Sequence, residues 1–136
     1  MVTANDDEKH LIVYRGVHNF VVLNRYPYTS GHVMVVPFAH VALLSAVTEP
    51  AATEMMQLMR AAERHLREAY RPDGLNIGMN IGESAGAGIA GHVHMHVLPR
   101  WSGDSNFMTT IGETRILPED LSVTWQRLRD AFSTVG

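Results

Sequence analysis

The 136-residue sequence predicts an α+β fold with an antiparallel sheet. Short β-branched and aromatic runs recur along the chain, while two stretches carry helical periodicity, too few to alternate with every strand. The length suits one hydrophobic core rather than two, so residues 1–136 are expected to form a single domain.

Leu11-Ile12-Val13-Tyr14 and Asn19-Phe20-Val21-Val22-Leu23-Asn24, separated by a short segment containing Gly16, read as a hairpin. Tyr26-Pro27-Tyr28-Thr29-Ser30-Gly31 supplies turn chemistry before a third strand, His32 to Val36, which ends at Pro37 because proline cannot donate to a ladder. From Glu49-Pro50 to Tyr70, the residues Ala52, Met55, Met56, Met59, Ala62, Leu66 and Ala69 recur at helical spacing. Thr48 is placed to cap this helix, Pro50 is tolerated in its first turn, and Arg71-Pro72-Asp73-Gly74 stops it. Two further strands, Leu75 to Ile81 and His92 to Leu98, flank a glycine-rich loop. Leu121, Trp125, Leu128 and Phe132 mark a second helix after Pro118-Glu119-Asp120. Met34, Met55, Met56, Met59, Met79 and Met95 read as core filler, as does Trp125.

Composition narrows the chemistry. The chain has no cysteine, which excludes disulfides, thiolate metal clusters and cysteine nucleophiles together. A net charge of −3, with mixed signs and a single lysine, argues against nucleic-acid binding through a basic surface. The first nine residues are polar and acidic, unlike a signal peptide, and no apolar run reaches the roughly 18 residues that cross a bilayer. The expectation is a cytoplasmic protein without membrane or nucleic-acid partners.

Histidine, by contrast, occurs eight times, three of them in Gly91-His92-Val93-His94-Met95-His96-Val97-Leu98. On a strand, this alternation puts His92, His94 and His96 on one face, roughly 7 Å from each neighbour to the next, and turns Val93, Met95 and Val97 into the core. Histidine is not a favoured strand residue, so mere decoration of a surface explains the pattern poorly. Two readings remain open on the residues alone. The imidazoles can ligate a metal such as zinc, with His32, Glu83 or Asp104 as further candidates, although none forms a second ligand pair. Alternatively, the middle imidazole is a nucleophile, competent while neutral if its second nitrogen donates to a fixed acceptor.

The preceding loop contains Gly86, Gly88 and Gly91, a literal GxGxxG that opens a strand rather than a helix and so is not a dinucleotide fingerprint. Its small residues still let backbone N–H groups approach a phosphate beside the histidines.

The run His92-x-His94-x-His96-Val97-Leu98 resembles the signature of the HIT (histidine triad) superfamily. Asn24-Arg25-Tyr26-Pro27 and Gly31-His32-Val33-Met34-Val35-Val36-Pro37 resemble that family's ribose-contacting strand and buried histidine. Arg100-Trp101-x-Gly103-Asp104-x-Asn106-Phe107 is similar to the Fhit-like branch, and within it to bacterial diadenosine tetraphosphate phosphorylases. The resemblance spans roughly residues 10 to 115 and implies a HIT-like fold, with a five-stranded antiparallel sheet, one long helix and a C-terminal helix.

It further implies a homodimer, paired through the long helix and central strands, that cleaves diadenosine polyphosphates. His94 would be the nucleophile, forming a nucleotidyl-histidine that phosphate or water resolves. His92 and His96 would contact phosphate oxygens, with His32 behind them. Asn24 would hold the ribose, Asn80 would face the phosphate, and Leu23 and Val33 would wall the base pocket. Gly86, Gly88 and Ser84 would contribute to the phosphate cradle. No cofactor or metal is required, although a divalent cation can arrive with the polyphosphate. Many relatives carry Gln-Ser or Gln-Thr before the first histidine, where this chain has Ala87-Gly88-Ile89, which makes room for phosphate as acceptor. The rival functions are a nucleoside phosphoramidate hydrolase and a non-catalytic nucleotide-binding module. Of the other histidines, His10, His18 and His65 are expected to face solvent and His40 to cap or pack near the start of the helical region.

Overall fold

The computed structural model describes residues 4–25, 29–85, 91–103 and 119–133. Its strands are β1 (Ile12–Arg15), β2 (Asn19–Leu23), β3 (Val33–Pro37), β4 (Gly74–Met79) and β5 (Met95–Arg100). Among the described residues three α-helices accompany them: α1 (Ala4–Lys9), α2 (Glu49–Tyr70) and α3 (Leu121–Phe132). The expected architecture is therefore present, with α1 as an addition that its polar sequence gave no periodicity to reveal. All neighbouring strands run antiparallel in the order β1-β2-β3-β5-β4. This order places β5 between β3 and β4 and leaves β4 at an edge.

One face of the sheet is closed by α2 and α3. Val13, Val21, Leu23, Val33, Val35 and Val97 pack there with Met55, Leu58, Met59, Ala62 and Leu66 of α2 and with Trp125, Leu128 and Phe132 of α3. Trp125, as expected, is core, and its indole N–H donates to the Ile12 carbonyl at 2.8 Å. Asp7 of α1 is buried between Arg15 and Arg129, at 2.8 and 3.2 Å, so the chain start is tied to both β1 and α3.

Helix α2 begins at Thr48, whose side chain accepts from Ala51 N, and ends at Arg71, whose left-handed backbone (φ 48°) directs its N–H to the Arg67 carbonyl. Its buried face is Ala51, Met55, Leu58, Met59, Ala61, Ala62, His65 and Leu66. Ala52 and Met56, assigned to the core from the sequence, are exposed; apolar residues flank the true stripe on one side, and the apparent phase slips by one position. His65 is a second correction. Rather than facing solvent, it is buried with its ring against Phe132, centroids 4.7 Å apart, because its position falls on the inward stripe.

The same helix also fastens the β1–β2 turn. Glu54 accepts from the backbone N–H groups of Val17 and His18, both at 2.7 Å, and from Asn19 Nδ2 at 2.9 Å. Burial raises the Glu54 pKa, but these hydrogen bonds outweigh it and hold the carboxyl below its usual range. Gly16 is required for space here: a Cβ would lie 2.6 Å from the Glu54 carboxylate. Among the described residues, no helix is long and apolar enough to cross a membrane.

Candidate active site

The triad does not lie wholly on a strand. β5 begins at Met95, so His96 alone of the three is laddered, paired with Met34 on β3 and Gly78 on β4. His92 and His94 stand on the segment leading into it, which the end of β3 and the loop after it hold in place: His92 Nε2 donates to the Pro37 carbonyl and Val93 N–H to the Val41 carbonyl, each at 2.8 Å. Alternation nevertheless survives, since Val93 and Val97 are buried and Met95 packs against the core.

This anchoring settles the protonation of His94. Its Nδ1 lies 3.0 Å from the His92 carbonyl oxygen, which can only accept, so Nδ1 carries the hydrogen and a neutral His94 has its lone pair on Nε2. Beside it, the His96 ring stands nearly perpendicular, centroids 4.8 Å apart. His96 Nδ1 meets His32 Nε2 at 2.9 Å, and His32 Nδ1 meets Asn24 Nδ2 at 3.3 Å. Asn24 and His32 are also joined through the backbone, Asn24 N–H donating to the His32 carbonyl at 3.0 Å.

Burial, and then charge on His96 and His94, pushes the His32 pKa down to about 4. Burial, and then charge on His94, lowers that of His96. His32 is therefore neutral near neutral pH. The arrangement presents a lone pair with imidazole N–H groups close by, which suits attack on an anionic electrophile whose charge must be met by donors.

An open groove of about 320 Å³ runs over this end of the sheet, lined by His32, Asn76, Ile77, Gly78, Asn80, His96 and Leu98. Asn80, exposed just beyond β4, thus shares the groove with two of the histidines. Gly78 stands opposite His96, and a Cβ there would meet nothing within 4 Å, so the groove is open beside this pair. Asn76, Gly78 and Leu98 went unnoticed in the sequence; their signal was register, since Asn76 pairs with Leu98 two places from the Gly78–His96 pair.

Other expected residues fall elsewhere. Leu23 and Val33 are 2% and 0% exposed inside the core, on the side of the sheet covered by the helices, which removes both as base-pocket walls. Ser84 is exposed on the short turn Glu83–Ala85 and is not part of the groove lining. Gly86 and Gly88 lie outside the described residues, as does Asp104. His40 is exposed with its ring against His92, centroids 4.8 Å apart, rather than packed near the helical region. Among the described residues, no three or more His, Asp or Glu side chains are grouped to hold a metal ion.

Comparison with known proteins fits this geometry. The family model described as HIT domain matches residues 5–103. An AP-4-A phosphorylase of Mycobacterium tuberculosis is 45% identical over 118 residues, which cover 87% of this chain and 60% of that protein. A bis(5'-adenosyl)-triphosphatase of Saccharomyces cerevisiae is 28% identical over 134 residues, 92% of this chain and 61% of that protein. The chain thus spans about three-fifths of the length of these relatives. Among solved structures, a zinc-bound histidine triad family protein from Mycobacterium smegmatis superposes with a TM-score of 0.73 at 26% identity, covering 93% of this chain and 86% of its own.

Proposed function

Since the chain belongs to the HIT domain family, we propose that it is an enzyme cleaving dinucleoside polyphosphates, diadenosine tetraphosphate or triphosphate, through a nucleotidyl-histidine on His94. The observation that supports this most strongly is the His94 Nδ1–H bond to the His92 carbonyl, which leaves Nε2 as a lone pair beside His96.

In the first step, Nε2 attacks the α-phosphorus. A P–N bond forms, the bridging P–O bond breaks, and the remaining nucleoside polyphosphate leaves. In the second, an oxygen of inorganic phosphate or water attacks the same phosphorus and the P–N bond breaks. His96 meets phosphate oxygens and Asn80 faces them across the groove that both line, Asn24 holds the ribose, and His92, its Nε2–H committed to the Pro37 carbonyl, contributes through the carbonyl that orients His94. Phosphate is the acceptor we favour, on the likeness to the mycobacterial phosphorylase. Any divalent cation enters with the polyphosphate as part of the substrate.

The same reading takes residues 1–136 as one HIT domain working in the cytoplasm on adenine nucleotides, with neither nucleic acid nor membrane as partner. It also takes the protein as a homodimer. β3 and β5 already have neighbours on both sides, so the proposed seam moves from the central strands to edge strand β4, where Ile77 is 49% exposed.

Incubation with diadenosine tetraphosphate, with and without phosphate, tests the activity. Phosphorolysis yields ADP plus ATP and hydrolysis AMP plus ATP, whereas no turnover under either condition overturns the proposal.

A further inference from the structure

The pair formed by His32 and His96 holds one proton between nitrogens 2.9 Å apart, and two imidazoles of themselves do not decide which ring donates. The decision passes to the far side of His32, where Nδ1 lies 3.3 Å from Asn24 Nδ2. An amide nitrogen can only donate, so His32 Nδ1 must supply the lone pair. The proton of a neutral His32 then sits on Nε2 and is donated to His96 Nδ1. A neutral His96, with Nδ1 accepting, carries its own proton on Nε2, the nitrogen left for the groove that this ring lines.

We infer that Asn24 is a positioning residue: its carboxamide sets the direction of the His32–His96 pair, so that His96 offers an N–H rather than a lone pair to an anion in the groove. This role is separate from any contact with a ribose. Its chemical value lies in sign, because an N–H attracts a phosphoryl oxygen that a lone pair would repel. Burial supports it by lowering the affinity of both rings for a second proton, so that near neutral pH the pair adopts one direction at a time. The backbone bond from Asn24 N–H to the His32 carbonyl, at 3.0 Å, fixes the amide against the ring it polarises.

A side chain that accepts instead of donating should reverse the chain of bonds. In Asn24→Asp, the carboxylate accepts a hydrogen bond from His32 Nδ1–H, His32 Nε2 accepts from His96 Nδ1–H, and His96 turns a lone pair to the groove. Long-range ¹⁵N–¹H correlation spectra of the full chain at pH 8 read the protonated nitrogen of each imidazole directly. The unsubstituted protein should show both His32 and His96 as Nε2–H, and Asn24→Asp should show both as Nδ1–H. Should the aspartate variant fail to fold, Asn24→Ala should show His96 as a mixture of tautomers. A His32 Nδ1–H in the unsubstituted protein overturns the inference, as does an unchanged pure Nε2–H tautomer of His96 in whichever variant folds.

A kinetic consequence rests on the proposed function: with diadenosine tetraphosphate, kcat of Asn24→Asp should fall about 100-fold, the scale of one lost proton-donor contact. The spectra need no turnover, so failure of the proposed activity and failure of this inference are distinguishable.

Discussion

Acid should destabilise this fold through His32, and the size of the effect follows from its surroundings. The side chain is 9% exposed, and its pKa falls from 6.5 to about 4, first by burial and then by charge on His96 and His94. An unfolded chain takes up this proton near pH 6.5, whereas the folded protein resists it until about pH 4. Between those values the unfolded state binds more protons, so stability is complete above 6.5, falls as pH drops through the window, and levels off below about 4. Integrated from pH 7.5 to pH 5, this one group removes about 2 kcal/mol. Urea unfolding of the unsubstituted protein and of His32→Gln at both pH values isolates the term, since all other titrating groups are common to the two. The variant should be the less stable at pH 7.5, yet lose about 2 kcal/mol less on acidification. Equal losses in the two proteins would refute a His32 that is buried and neutral.

Replacing His94 by Asn should lower kcat on diadenosine tetraphosphate by about 1,000-fold or more while leaving the unfolding midpoint within experimental error; activity near that of the unsubstituted enzyme would refute its role as nucleophile. Glu54→Ala strips acceptors from Val17 N–H, His18 N–H and Asn19 Nδ2, and should cost about 1–3 kcal/mol in denaturant unfolding. A neutral result there would show that water replaces the carboxylate without loss. Among the described residues no hydrogen-bond partner reaches the buried His65 Nε2, and its pKa is lowered, first by burial and then by Arg64. His65→Leu should therefore be as stable as the parent or more so, by up to about 1 kcal/mol, with the largest gain below pH 6.5; a loss of more than about 1 kcal/mol would show that packing against Phe132 outweighs the orphaned nitrogen. Ile77→Lys on the exposed edge of β4 should turn the proposed dimer into a monomer in light scattering, and an unaltered dimer mass would place the seam elsewhere.

The strands and the two longer helices were legible because their signals are local: β-branched runs, Thr48 as a cap, Pro37 and Pro72 as stops. The triad was equally visible, since alternation survives in the burial of Val93 and Val97 even where the ladder does not extend to His92 and His94. What escaped depends on long-range register. That Gly78 and Asn76 meet His96 and Leu98 follows from how β4 slides against β5, which nothing within either strand fixes. Leu23 and Val33 were misplaced for a related reason: each sits one residue from a neighbour on the opposite face of its strand, and only the position of α2 decides which face is covered. Residue type alone places His65 in solvent, whereas helical phase puts it against Phe132. The Asn24–His32–His96 chain joins three elements, and its residues were recognisable singly without showing that they touch.

In the proposed mechanism, His94 Nε2 becomes bonded to phosphorus during turnover. Rapid acid-free quenching during turnover of diadenosine tetraphosphate, followed by mass analysis of the peptide carrying residues 92–96, tests it directly. One adenylyl group is expected on that peptide, located on His94 and absent from His94→Asn. Full turnover with no adduct on the quenched chain, or an adduct placed on His92 or His96 instead, would contradict it.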